Sequence, residues 1–264
     1  MTANEMAYRF KVLYDIIAKD TAPGYKDREI SALFNICQLE IVKSYYIPQG
    51  NKYGKGFENT EKRRKDLANL VKNVYLYDYD MSINQSDAHK DGYIYELPTD
   101  FLWAIQEECD MNIYSDDCST VTVSLSQREP HIMNLSKVDF DRVYKLWVKP
   151  VTHDEYNVNI NNPFKKPYEE MLWRLDIENS PVSPYKKRHE LINPTSMTIL
   201  RYRIRYIKLP IDIVVDNITP TNQINCELIE TLHDEIVSRV VRRVTGITQP
   251  ELYKIMASEE LKTE

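Results

Sequence analysis

The sequence predicts an α+β fold: a helical bundle of N-terminal and C-terminal helices, with an inserted β-rich part and a long Pro-rich arm. Three observations carry this expectation. Apolar residues recur at helical spacing over 4–46 and again over 225–245, whereas the middle carries short alternating runs rich in Tyr and β-branched residues. Between Pro150 and Pro194 lie six of the chain's thirteen prolines and no glycine.

The first helix places Met6, Phe10, Leu13 and Ile17 on one face and closes at Pro23-Gly24. Asp27 then caps a second, over about 28–46, with Ile30, Phe34, Cys37 and Ile41 inward, so the two are expected to pair as an antiparallel hairpin. A third helical run, 58–73, carries Glu61 to Lys65 outside. Alternating runs at 74–79, 93–97 and 120–125 suit half-buried strands. Pro98-Thr99-Asp100 is expected to cap a short helix at 101–105.

The proline-bearing segment favours extended backbone, interrupted by a short ordered piece at 168–177. Strict alternation then marks 198–208 as an amphipathic strand, with Tyr202, Ile204 and Tyr206 on one face and Arg201, Arg203 and Arg205 on the other. Asn225 is expected to cap a helix ending at Gly246, and Thr248-x-x-Glu251 has the spacing of a capping box for a last short helix. These elements divide the chain into an N-terminal helical part (1–73), a β-rich part (74–149), an arm or long loop (150–196), a strand segment (197–222), and C-terminal helices (223–264) that return to the bundle and end in a partner-docking tail.

Composition narrows the function. The chain has 264 residues, 42% of them hydrophobic, enough for a sizeable core. A net charge of -6 argues against gripping nucleic acid through a general basic field. Four cysteines without a Cys-x-x-Cys pair predict free thiols in a reducing compartment. Charged residues throughout the first twenty positions predict no signal peptide, and no stretch is apolar for long enough to predict a membrane span.

The search for chemistry returns no catalytic residue, no metal site and no cofactor. Tyr53-Gly54-Lys55-Gly56 lacks the spacing and hydroxyl of a phosphate loop. The run Asp78-x-Asp80-x-Ser82-x-Asn84 alternates oxygens like a calcium loop, but Ile83 replaces the glycine and His89 the bidentate Glu. His233 stands beside Asp234 and Glu235 without the HExxH pattern, and reads as a packed or interfacial side chain. Arg201, Arg203 and Arg205 form the best basic stripe, with side chains about 7 Å apart. With no aromatic stacking residue on that face, it reads first as a solvated face or a set of partner carboxylate contacts, and second as a phosphate contact.

The order of pieces says more than any site. The runs Ile30-Ser31-Ala32-Leu33, Glu40-Ile41-Val42-Lys43, Tyr53 to Glu58 and Glu61 to Leu67 resemble the opening of structural proteins from crAss-like phages of Bacteroidetes. Leu97-Pro98-Thr99-Asp100-Phe101-Leu102 is similar to a phrase in the head-to-tail adaptors, or tail tubular proteins, of short-tailed phages. Arg205 to Pro210, Cys226-Glu227-Leu228 and His233 to Val237 also look like the crAss-like proteins.

That resemblance implies a non-enzymatic homo-oligomeric ring, typically of twelve copies, in the virion neck. It implies partners in the portal protein and in further neck or tail rings, with genomic DNA passing the lumen without specific binding and no membrane involved. Assembly in the host cytoplasm is expected. On this reading Leu228, Leu232, His233, Ile236, Arg239 and Arg243, with Leu252 and Tyr253 of the last helix, are the candidate subunit or portal interface. The competing reading is a DNA-binding or packaging accessory using the arginine stripe.

Overall fold

A computed structural model describes residues 1–18, 24–47, 57, 60–76, 89, 92–112, 143–162, 164–165, 171–177, 187–193, 198–216, 218 and 220–248. The chain divides into two compact units, one of Met1–Val71 with Leu209–Glu264 and one of Lys72–Lys208.

In the first unit, α1 (Ala3–Ala18), α2 (Asp27–Tyr46) and the short α3 (Glu61–Asp66) come from the N-terminal part. Asp27 begins α2 instead of capping it; the Glu29 carboxylate accepts from the Lys26 backbone N–H. Thr60 caps α3 through Arg63 N. That helix stops far short of Asn73, because Ala68–Leu70 tightens into a 3-10 turn and a strand starts at Val71.

The fourth long element of this unit is α5 (His233–Thr248), and both α1 and α2 pack on it. Met6, Phe10, Ile30, Phe34, Ile236 and Val240 are wholly buried, the Phe10 ring standing edge-on to Phe34. Helix α5 begins later than the sequence suggests: Glu230–Leu232 is a 3-10 turn, and Asn225 accepts from the Ala3 backbone N–H instead of capping.

An extended segment returns along α2, and side chains satisfy its backbone. Ser31, Asn35 and Gln38, four and three residues apart, bond Val215 N, Ile213 and Ile211 O, while Asn4 of α1 bonds both backbone groups of Asp216. Ile211 N–H donates to the Glu227 carboxylate, and Val214 pairs with Ile224 through the backbone.

The second unit is a seven-stranded sheet in the order β1-β7-β3-β4-β5-β6-β2. Its strands are β1 (Val71–Leu76), β2 (Gly92–Glu96), β3 (Phe101–Asn112), β4 (Val143–Pro150), β5 (Met171–Ile177), β6 (Arg188–Ile192) and β7 (Thr198–Lys208). Pairing is antiparallel for β2·β6, β3·β4, β3·β7 and β5·β6, and parallel for β4·β5. Helix α4 (His153–Asn159), capped by Thr152, makes the crossover between the parallel strands.

The fold class therefore differs from the expectation of a helical bundle with an inserted β-rich part and a Pro-rich arm. The fold is mixed, with five helices among the described residues, and strands dominate the core. Two misreadings account for the difference. Phe101 to Ile105 opens the long strand β3, since Cys109 and Met111 bury on a sheet face and the Asp100 carboxylate accepts from Tyr206 and Lys72 instead of capping. The proline-bearing segment supplies the end of β4, α4, β5 and β6, with Pro150 as the last residue of β4. The expected strand at 120–125, the calcium-like run and the last helix lie outside the described residues.

Buried side chains of one sheet face, including Leu146, Leu172, Tyr202 and Ile204, form the larger core cluster. A smaller one joins α4 to the other face through Val151, Tyr156, Trp173 and Leu175. At its margin the buried Glu190 carboxylate accepts from the backbone N–H of His89 and lies 3.0 Å from its imidazole, which packs tilted against Tyr156. Gly92 makes room for that carboxylate, because a β-carbon there would strike Glu190 Oε1 and lie 3.0 Å from His89 O. Gly92→Ala is expected to cost about 1–3 kcal/mol in chemical denaturation, as overpacking against an anchored group does. No loss of stability would mean that Glu190 swings freely.

Candidate assembly surfaces

The arginine stripe of β7 meets a matching stripe on β3. Register pairs Arg201 with Asp110, Arg203 with Glu108 and Arg205 with Gln106, so all six side chains share one sheet face. Arg201 Nε bonds Asp110, and Arg203 lies 3.3 Å from Glu108. Both guanidiniums stand over the Tyr75 ring, at 4.9 and 5.7 Å. Arg205 differs from the other two in bonding a neutral partner, Gln106. A helix expected at 101–105 hides the acidic stripe; the alternation Gln106-x-Glu108-x-Asp110 is its sequence signal.

The face continues onto β4. Lys145 lies opposite Asp110 and Trp147 opposite Glu108. Trp147 is 66% exposed in the fourth strand of seven, an unusual place for an open indole. Lys149, on the same face by alternation, pairs with Glu155 at 3.0 Å.

The candidate interface residues of the C-terminal region mostly face inward within their own unit. Leu228, Leu232, His233 and Ile236 are buried. His233 Nε2 bonds Leu228 O at 3.0 Å, tying the helix start to the preceding turn. Arg239 pairs with Glu235, which also accepts from Tyr45, and Arg243 pairs with Glu40 at 2.6 Å. Leu252 and Tyr253 lie outside the described residues.

Helix α1 shows the opposite situation. Its core face is Ala3, Met6, Ala7, Phe10 and Tyr14; Leu13, expected inside, is 41% exposed. On the far side Tyr8, Val12 and Ile16 recur every fourth residue, Tyr8 and Ile16 each 70% exposed, with Glu5 and Asp15 beside them. A helix apolar on both faces is built to lie between two layers.

The sheet also buries an ionisable network. Arg174 pairs with Glu107, and His189 links Asp176 at 3.1 Å to the Tyr202 hydroxyl at 3.0 Å. With Nε2–H donating to Asp176, Nδ1 accepts the Tyr202 proton. This acid-imidazole-phenol chain is not a nucleophilic centre: Tyr202 is wholly buried, and burial, then Glu107, pushes its hydroxyl well above the ordinary phenol range. Among the described residues no three His, Cys, Asp or Glu side chains are placed to hold a metal ion, and no helix is long and apolar enough to cross a membrane.

Burial holds His189 and His233 below the ordinary imidazole range. Below about pH 6.5 the unfolded chain therefore binds more protons than the folded one, and stability falls as pH drops from about 7 toward 5. Thermal melting across that interval is expected to show a declining Tm; a rising one would mean that both imidazoles charge inside the fold.

Comparison with known proteins is consistent along the whole chain. The family model described as phage tail ring protein 3/4 matches residues 1–252. Ring protein 4/5 of Bacteroides phage crAss001 is 29% identical over 274 residues, covering 99% of this chain and 98% of that protein. Ring protein 3 of the same phage is 24% identical over 250 residues, covering 92% and 94%.

Proposed function

Because this chain belongs to the phage tail ring protein 3/4 family, we propose that it is a structural subunit of a ring in the virion neck. Copies close side by side, typically twelve, between portal and tail, and the genome passes through the lumen. The observation that carries the reading is the similarity to two ring proteins of one phage over nearly the full length of each. A subunit of this kind works by contact with its neighbours and catalyses nothing.

Electrostatics support the conduit. A protein that transmits DNA gains from weak affinity for it, and a net charge of -6 disfavours phosphate. The strongest basic stripe is largely spent on internal carboxylates, which removes most of the support for a DNA-binding accessory.

Electron microscopy of the purified chain, alone and mixed with the phage's portal protein, is the test. Closed rings that stack on portal are the expected result. A chain that remains a monomer in both samples overturns the assignment, and tight salt-sensitive retention on DNA would favour the accessory instead.

A further inference from the structure

Two exposed surfaces complement each other, and we propose that the outer face of α1 in one copy docks along β4 of the next, centred on Trp147. The inference rests on the ring reading and names the contact that builds the ring.

The first surface is the apolar row Tyr8, Val12 and Ile16, accompanied by Glu5 and Asp15. The second is Trp147, 66% exposed, with Lys145 and Lys149 before and after it on the same sheet face. Charge is complementary. Among the described residues around the indole, five cations (Arg201, Arg203, Arg205, Lys145 and Lys149) face the three carboxylates of Glu108, Asp110 and Glu155, whereas the α1 stripe contributes Glu5 and Asp15 and spends Arg9 on Asp234.

Spacing is complementary too. Ten helical residues separate Glu5 from Asp15, about 15 Å at the rise of an α-helix. Four strand residues separate Lys145 from Lys149, about 13–14 Å. A helix laid along the strand with Trp147 seated between Tyr8 and Val12, midway from Glu5 to Asp15, therefore brings each carboxylate near a lysine. The apolar row covers the indole, forming a desolvated aromatic anchor inside a rim of opposite charges. The two patches differ, so the contact is heterologous and propagates from copy to copy, as a closing ring requires.

The test uses the full chain, with assembly followed by mass photometry and electron microscopy. Trp147→Ser is expected to weaken ring formation about 30-fold, the loss of a central aromatic anchor. The pair K145E and K149E should weaken it about 10–100-fold, as should E5K with D15K, since each sets like charges opposite one another. Trp147 and Lys145 are exposed, so Tm should hold there; E5K removes the acceptor of the Thr2 backbone N–H and K149E parts Lys149 from Glu155, so a small fall in Tm without loss of the fold is expected at those two. Combining the two charge reversals in one chain should restore rings.

If wild type forms rings and these variants form them equally well, or the combined reversal restores nothing, the docking is wrong and the ring reading stands. If wild type never passes monomer, both fall. Should the lysine reversals abolish retention on DNA at low salt while leaving ring assembly unchanged, the surface belongs to nucleic acid and the docking is overturned.

Discussion

Replacing Arg174 with alanine is expected to lower the unfolding free energy by about 3–5 kcal/mol, the cost of stranding a buried charge. Glu107 faces the apolar side of the sheet among Cys109, Tyr202 and Leu172, and its side chain is only 5% exposed. Arg174, itself 12% exposed, is the cation that neutralises it. Without the guanidinium the carboxylate must either stay ionised in a poor solvent or take up a proton, and both penalise the fold. Glu107→Ala should cost a similar amount for the mirror reason. The double replacement Arg174→Met with Glu107→Leu should recover much of the loss, because a well-packed apolar pair substitutes for a buried ion pair. Urea denaturation of the four proteins closes the cycle. Single losses below about 1 kcal/mol would mean that water reaches the pair.

Phe10→Ala is expected to cost a comparable amount, about 3–5 kcal/mol, in the helical unit. The ring is wholly buried and touches three others: Tyr14 stacked at 5.7 Å, Tyr25 edge-on at 5.9 Å and Phe34 edge-on at 6.4 Å. Truncation leaves a cavity walled by aromatic edges on two helices, which α1 cannot fill without shifting against α5. Tyr8→Ala, two residues away on the open face, should change the stability of the isolated subunit by no more than about 0.5 kcal/mol. Equal losses from the two substitutions would show that the outer face of α1 is packed within the subunit after all.

The sequence disclosed periodicity better than partnership. The alternation of β7 gave its buried Tyr202, Ile204 and Tyr206 and its arginine face directly, because a period of two leaves one answer. It did not reveal that Asp110 and Glu108 would occupy those arginines; cross-strand register is a long-range property, and β3 had been taken for a helix at its start. Helix α1 misled for a related reason. Apolar residues surround it, so Leu13 looked as inward as Tyr14, and only the position of α5 decides which side is covered. Proline content makes 150–194 look extended as a whole, whereas β5 and β6 form in stretches of it that contain no proline, 171–177 and 188–192. Site residues on α5 were legible as an apolar stripe, but a stripe alone does not distinguish a subunit's own core from its contact with a neighbour.

The side-chain ladder from Ser31, Asn35 and Gln38 to the segment 211–215 joins residues nearly two hundred positions apart. During synthesis the ribosome delivers one end of that ladder long before the other. The sheet unit is contiguous in sequence and complete once Lys208 has emerged, while α1 and α2 wait, apolar on their inward faces, for the last quarter of the chain. The helical unit is therefore finished only after the C-terminal segment has left the ribosome.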